Sequence, residues 1–147
     1  QYEKLISRIN SKTIIFKNNE KVQIYSYKNK LGNNINFAIT KGNLSPNKST
    51  PVRVLSTKIK DNNILSNNEI KKTLKFLSKY KNYLLLIINN SSKTNDENIN
   101  TLRYYGIGAQ IIKDLKVKNM ILISRRKKKI IGLEGFGLKI EKQIIIK

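Results

Sequence analysis

VRVLSTKIKDNNILSNNEIKKTLKFLSKYKNYLLLII, residues Val52 to Ile88, changes its hydrophobic period twice. VRVLS at Val52 to Ser56 is a short β-type run. From Ser66 the pattern turns helical: Glu69 follows three residues later, as in a capping box, and Ile70, Leu74 and Leu77 recur at i, i+4 and i+7. This spacing predicts an amphipathic helix from about Asn67 to Tyr80. LLLII at Leu84 to Ile88 is apolar throughout and of strand length, the composition of a strand covered on both faces. The order is strand, helix, strand.

Upstream, TIIF (Thr13 to Phe16), VQIYSY (Val22 to Tyr27) and INFAIT (Ile35 to Thr40) are β-type runs separated by the turn-type clusters KNNEK, NKLGNN and KGNLSPNKSTP. In the second run Val22, Ile24 and Ser26 share one face, and Gln23, Tyr25 and Tyr27 share the other, the period of a half-solvated antiparallel strand. Downstream, the polar stretch NNSSKTNDENIN (Asn89 to Asn100) reads as a loop. Ile107, Ile111, Ile112 and Leu115 then predict a second helix, which leads into MILIS (Met120 to Ser124), a turn-rich GLEGFGL element and a last strand from Ile140 to Ile146. The expected fold class is α+β, a mixed sheet with antiparallel N-terminal strands and later βαβ-like units. Residues 1–10 read as an N-terminal linker or extension and 11–147 as a single domain, and no repeat of solenoid spacing occurs.

A chain of 147 residues and 17.0 kDa is long enough for one domain with a substantial core. The longest apolar run is five residues, far below the roughly 20 that a bilayer-spanning helix needs, so no membrane partner and a cytoplasmic location are expected. A first residue of Gln suggests a piece of a longer polypeptide. With neither Cys nor His, a disulfide framework, a zinc finger, a thiol nucleophile and a Ser-His-Asp triad are all excluded. The formal charge of +21 is in form the footprint of a nucleic-acid binder. However, Lys (25), Ile (24) and Asn (20) dominate the chain while Arg is 5 and Ala 2, the signature of A/T-rich codons. Compositional drift therefore explains the charge better than selection for a polyanion, and only RRKKK (Arg125 to Lys129) is a true cluster.

LRYYGIGAQIIKDLKVKNMILIS (Leu102 to Ser124), followed by KKKIIGLEGFGLKIEKQI (Lys127 to Ile144), closely resembles the C-terminal third of GTP cyclohydrolase II, an enzyme of riboflavin synthesis. Family members carry a run like DLRDYGIGAQILRDLGV, then a strand LLTNNPKK, then a GLEGYGLEVVERV ending, and all three pieces occur here in order. A weaker likeness extends upstream through NKLGNNINFAITKGNLSPNKSTPVRV to about Ser11.

The departures bear on chemistry. Where the resemblance implies RVHSECLTGD, this chain reads RVLSTKIKDN. Arg53 is kept, but Leu55 stands for His, Thr57 for Glu and Lys58 for the first zinc-ligand Cys. The segment that supplies two further zinc cysteines is absent, as is the RQEGRGIGL loop expected after LLLII. Arg103 keeps the Arg of a D-x-R motif whose Asp position is Thr101, and it is the one retained catalytic candidate. Ser124 and Lys129 stand where the family's nucleotide-contacting Thr and Lys would be. With Arg53 they form a candidate nucleotide or phosphate site, for which GTP is the implied ligand.

The family uses zinc to activate the water that opens the ring, and zinc needs about three protein ligands from Cys, His, Asp or Glu. Asp61 and Glu69 are too few, so neither a metal site nor any other cofactor is expected, and the resemblance implies a degenerate, inactive member. Family members are often fused to 3,4-dihydroxy-2-butanone 4-phosphate synthase. The resemblance therefore also implies a synthase partner, fused or associated, a homodimer, and a structural or regulatory role. The alternative reading is a basic nucleic-acid-binding domain on a reused fold. Gly106 to Gly108 lack GxGxxG spacing and are read as close helix packing, and Tyr104 and Tyr105 fit packing as well as chemistry.

Overall fold

The apolar run at Leu84 to Ile88 lies in the middle of the sheet, covered on both sides. The computed structural model describes residues 4–30, 34–89, 97–125 and 137–146, with the backbone alone over 97–105. Seven strands, β1 (Ile6–Ile15), β2 (Lys21–Asn29), β3 (Ile35–Lys41), β4 (Ser49–Thr57), β5 (Tyr83–Asn89), β6 (Asn119–Ser124) and β7 (Lys139–Ile145), form one sheet in the order β1-β2-β3-β5-β4-β6-β7. Two helices, α1 (Asn68–Leu77) and α2 (Glu97–Asp114), flank it. β1, β2, β3 and β5 pair antiparallel, while β5, β4, β6 and β7 run parallel. This is the α+β mixed sheet that the alternation of periods predicts.

Crossover handedness explains why the helices lie on opposite faces. The connection from β4 through α1 enters the adjacent β5, moving one way across the sheet, and the connection from β5 through α2 returns past β4 to β6. Right-handed crossovers in opposite directions must use opposite faces. Leu84, Leu86 and Ile88 accordingly join Ala109, Ile111, Ile112 and Leu115 of α2 in one core. Tyr83, Leu85 and Ile87 join Ile70 and Leu77 of α1 in the other. Every position of β5 is buried, which leaves no place for the polar alternation seen in β2.

Several boundaries differ from expectation. Residues 1–10, read as an extension, supply the start of β1 from Ile6, whose side chain is in the core. β1 carries a bulge between Arg8 and Asn10 that shifts its alternation, so no single period-2 pattern marks the strand. The first helix is N-capped by Asn67, whose side chain accepts from the Ile70 amide at 3.0 Å. Ser66 instead lies in a 3-10 turn, and its hydroxyl donates to the Asn63 carbonyl at 3.0 Å. The capping-box expectation is thus one residue out: an amide side chain takes the cap, and the helix ends at Leu77 instead of Tyr80. α2 begins at Glu97, inside the stretch read as a loop, because its first turns carry no apolar stripe. GLEGFGL lies outside the described residues apart from Gly137 and Leu138. No described helix is long and apolar enough to cross a membrane.

Candidate functional site

In an open parallel sheet, the carboxyl ends of two adjacent strands whose connections leave to opposite faces form a crevice where ligands bind. Here β4 and β5 are that pair. The resemblance places its metal and catalytic positions, Leu55 to Lys58, at the carboxyl end of β4, so they fall at the crevice. The side chains found there are of another kind. Leu55, Ile59 and Ile64 are buried in the α1-side core. The Asn67 amide donates to the Thr57 hydroxyl (3.5 Å) and the Lys58 carbonyl (3.4 Å), tying the loop after β4 to the cap of α1. The Asn89 side chain accepts from the Ile59 amide (3.4 Å), the Asn89 amide donates to Asn36 Oδ1 (2.9 Å), and Asn36 Nδ2 donates to Asn29 Oδ1 (2.7 Å).

Four asparagines and an apolar plug therefore hold this end of the sheet. Amide oxygens are poor zinc ligands, and no group of three Asp or Glu able to hold a metal occurs among the described residues. The residues present do not fit zinc.

The sequence-derived site residues do not all converge. Arg53 lies mid-β4, paired with Leu85 and Ile123, 7% exposed, and its Nη1 donates to the Val54 carbonyl at 2.8 Å. The pleat puts Arg53 on the α1 side with Ile123 and puts Ser124, buried at the end of β6, on the α2 side with Leu122. The sheet thus separates two residues expected to share one pocket. Arg103 is on α2, in the part described by backbone alone, as are Thr101, Tyr104 and Tyr105. Lys129 and most of RRKKK lie outside the described residues. Gly108 packs against β5: an added Cβ would stand 3.3 Å from Leu86 Cδ2. This close approach explains the glycine through packing, without a phosphate.

A second polar cluster lies on the α2 face at the β1 edge of the sheet. The bulge in β1 turns Arg8 onto the face shared by Tyr25 and Tyr27, and its guanidinium lies 4.7 Å from the Tyr25 ring centre. Arg8 Nη2 donates to Asp114 Oδ2 at 2.7 Å, and the Tyr27 hydroxyl donates to the same oxygen at 2.6 Å. Burial opposes the charge on Arg8, but its bonds to Tyr27 and Asp114 outweigh this and raise its pKa. Burial raises the Tyr27 pKa, and the adjacent Asp114 carboxylate raises it further. On the α1 side Tyr83 is likewise raised, by burial and by donating to Glu20, which also pairs with Lys41 at 3.5 Å. Of the Arg8 cluster, the sequence showed only the shared face of Gln23, Tyr25 and Tyr27. Arg8 sat in the supposed extension, and nothing local announced its partner 106 residues away.

A sequence model described as GTP cyclohydrolase II matches residues 64–145, more than half of the chain. The chain belongs to the GTP cyclohydrolase II family. Among similar members, the riboflavin biosynthesis protein RibBA of Bacillus subtilis (strain 168) is 56% identical over 43 residues, which is 29% of this chain and 11% of that protein. The 3,4-dihydroxy-2-butanone 4-phosphate synthase of Photobacterium phosphoreum is 31% identical over 160 aligned positions, covering 95% of this chain and 43% of that protein. The crystal structure of RibBX, a two domain 3,4-dihydroxy-2-butanone 4-phosphate synthase from A. baumannii, superposes with a TM-score of 0.65 at 21% identity. It covers 98% of this chain and 41% of that one, a likeness that shows the fold. The chain thus spans less than half the length of each of these relatives. The β4 terminus of this family member carries Leu55, Thr57 and Lys58.

Proposed function

We propose that the chain is the GTP cyclohydrolase II-like domain of a riboflavin-biosynthesis protein, that it lacks cyclohydrolase activity, and that it serves a 3,4-dihydroxy-2-butanone 4-phosphate synthase domain as a structural or regulatory module. The observation that carries this reading is the end of β4, where Leu55 is buried in the core and the Asn67 amide bonds the Thr57 hydroxyl and the Lys58 carbonyl, in a chain without Cys or His. Water bound to catalytic zinc ionises near pH 7 and bulk water near about 15.7, so losing the ion removes many powers of ten from the supply of hydroxide. No other described group at the crevice replaces it. The alignment covering 95% of this chain but 43% of the Photobacterium phosphoreum synthase supports the view that a synthase domain belongs with it.

Under this reading the module acts through association, as a homodimer that holds two synthase domains together. The reading frame that encodes the chain should carry a synthase domain, and deleting this domain should lower the synthase's melting temperature or convert it from dimer to monomer in sedimentation. A frame without a synthase domain, or a deletion that changes neither property, contradicts the proposal. Residual phosphate or GTP binding belongs to the same reading, through Arg53 on one face of the sheet or through Ser124 with Arg103 and Lys129 apart from it. Calorimetry with GTP, pyrophosphate and sulfate at low salt tests it, and absence of heat from all three removes it.

A further inference from the structure

A cavity of about 700 Å³ opens at the amino end of the parallel strands, opposite to the Leu55–Lys58 end. It exists because α2 stops at Asp114 and turns through Lys116 into β6, leaving the face of β2 and β3 beyond that point without a helix over it. Lys21, Gln23 and Tyr25 of β2 form its floor, with Thr40 of β3 opposite Gln23 in register. Arg8 forms one rim, residues 114–116 a second, and the turn at residues 42–44 a third.

Three features define what it can hold. The charge balance is positive: the Arg8 guanidinium is paired with Asp114, while Lys21 and Lys116 make no ion pair among the described residues. The carbonyl end of α2 offsets part of the Lys116 charge, so the cavity attracts anions moderately. Thr40 is 4% exposed, yet its hydroxyl makes no hydrogen bond among the described residues and lines the cavity. That hydroxyl faces the cavity and reaches solvent there, so a hydroxyl of a bound molecule can take the place of water on it. Finally, Gln23, Asn43 and Tyr25 add amide and phenol groups in a volume much larger than a bare phosphate requires.

We infer that this cavity is a binding site for a small phosphate monoester carried on a hydroxylated carbon frame, with Lys21 and Lys116 facing the phosphate and Thr40 and Gln23 bonding the hydroxyls. The cavity is half open, walled by the 42–44 turn and the end of α2, and its hydroxyl, amide and phenol groups beside two lysines suit a small polar anion. The inference is independent of the cyclohydrolase reading, since the cavity shares no residue with the crevice.

The test is an amide chemical-shift titration of the 147-residue chain with glycerol 3-phosphate, inorganic phosphate and neutral glycerol. Glycerol 3-phosphate should shift amides at 21–25, 40–44 and 114–116 and bind more tightly than inorganic phosphate, while glycerol should leave them unmoved and added salt should weaken binding. Combining Lys21→Met with Lys116→Gly should weaken binding by about tenfold or more, the loss expected for two charge-assisted contacts. Thr40→Val, which keeps the branched shape, should weaken the monoester severalfold and inorganic phosphate little. Unmoved amides at tens of millimolar, shifts confined to the Leu55–Lys58 end, or equal affinity in the Lys21/Lys116 variant would each overturn the site. Equal affinity for inorganic phosphate and the monoester would overturn the assigned ligand class. Unchanged amide dispersion in the variants separates lost binding from lost folding.

Discussion

Gly42, where β3 leaves the sheet, should not tolerate a side chain. Its φ is +76°, in the left-handed region, and an added Cβ would stand 2.8 Å from the Lys81 carbonyl oxygen and collide with Asn82 Oδ1. Three terms set the cost of Gly42→Ala. The left-handed conformation costs about 1–2 kcal/mol for a residue with a Cβ, and the stiffer unfolded chain returns about 0.4–1 kcal/mol. The Lys81 carbonyl is backbone and must move with the turn, which adds about 1–2 kcal/mol of packing strain, whereas the Asn82 side chain can swing away. The sum is a loss of about 2–3 kcal/mol, which for a domain of this size corresponds to a drop of roughly 4–12 °C in melting temperature. Urea unfolding followed by circular dichroism measures it directly. Asn82→Ala in the Gly42→Ala background should recover the smaller part only, because φ and the carbonyl remain. A loss below about 0.5 kcal/mol, or complete rescue by Asn82→Ala, would refute this reasoning.

Four further outcomes follow. Lys116 ends α2 in the left-handed conformation (φ +67°), with the Val117 amide bonded to the Ile112 carbonyl at 3.2 Å, the place where helices prefer glycine. Lys116→Gly should therefore raise stability by about 0.5–1 kcal/mol in thermal unfolding. Asn67→Ala should cost about 1 kcal/mol by removing the cap of α1, while Ser66→Ala should stay within about 0.5 kcal/mol, as read by urea midpoints. Tyr27 and Tyr83 have pKa values raised above the unfolded value near 10, so the protonated folded form is favoured. Their contribution is complete below about pH 10 and lost as pH rises above it, and Tyr27→Phe should flatten the alkaline limb of a stability profile. Leu86→Ala, which deletes a side chain with no exposure between β5 and Gly108 of α2, should cost about 2.7–5 kcal/mol in the same unfolding assay.

The parts of the fold legible in the sequence are those where one local period governs. Leu84 to Ile88 announce a strand buried on both faces because every residue is apolar, and Ile70, Leu74 and Leu77 announce α1 because one stripe faces the core. β1 escaped because its bulge after Arg8 breaks the alternation and most of its side chains are exposed. The start of α2 escaped because Glu97 to Arg103 carry no stripe. The cap moved from Ser66 to Asn67 because both residue types accept an amide proton, and tertiary bonds to Thr57 and Lys58 favour the second. At the site, the absence of zinc-binding residues is visible by inspection of the sequence. The placing of Arg53 and Ser124 on opposite faces is not, because it depends on the pairing of β4 with β6. The cavity at the amino end depends on Arg8 and Asp114, far apart in the chain and joined only by the fold.

The central claim is that a member of the GTP cyclohydrolase II family has kept its sheet and relinquished its metal chemistry. Formate release from GTP by the purified chain, measured over hours with Zn²⁺ or Mg²⁺ supplied, tests it most directly. The account predicts release no faster than in buffer with the same ions; metal-dependent turnover of GTP, lost on treatment with a chelator, would contradict it.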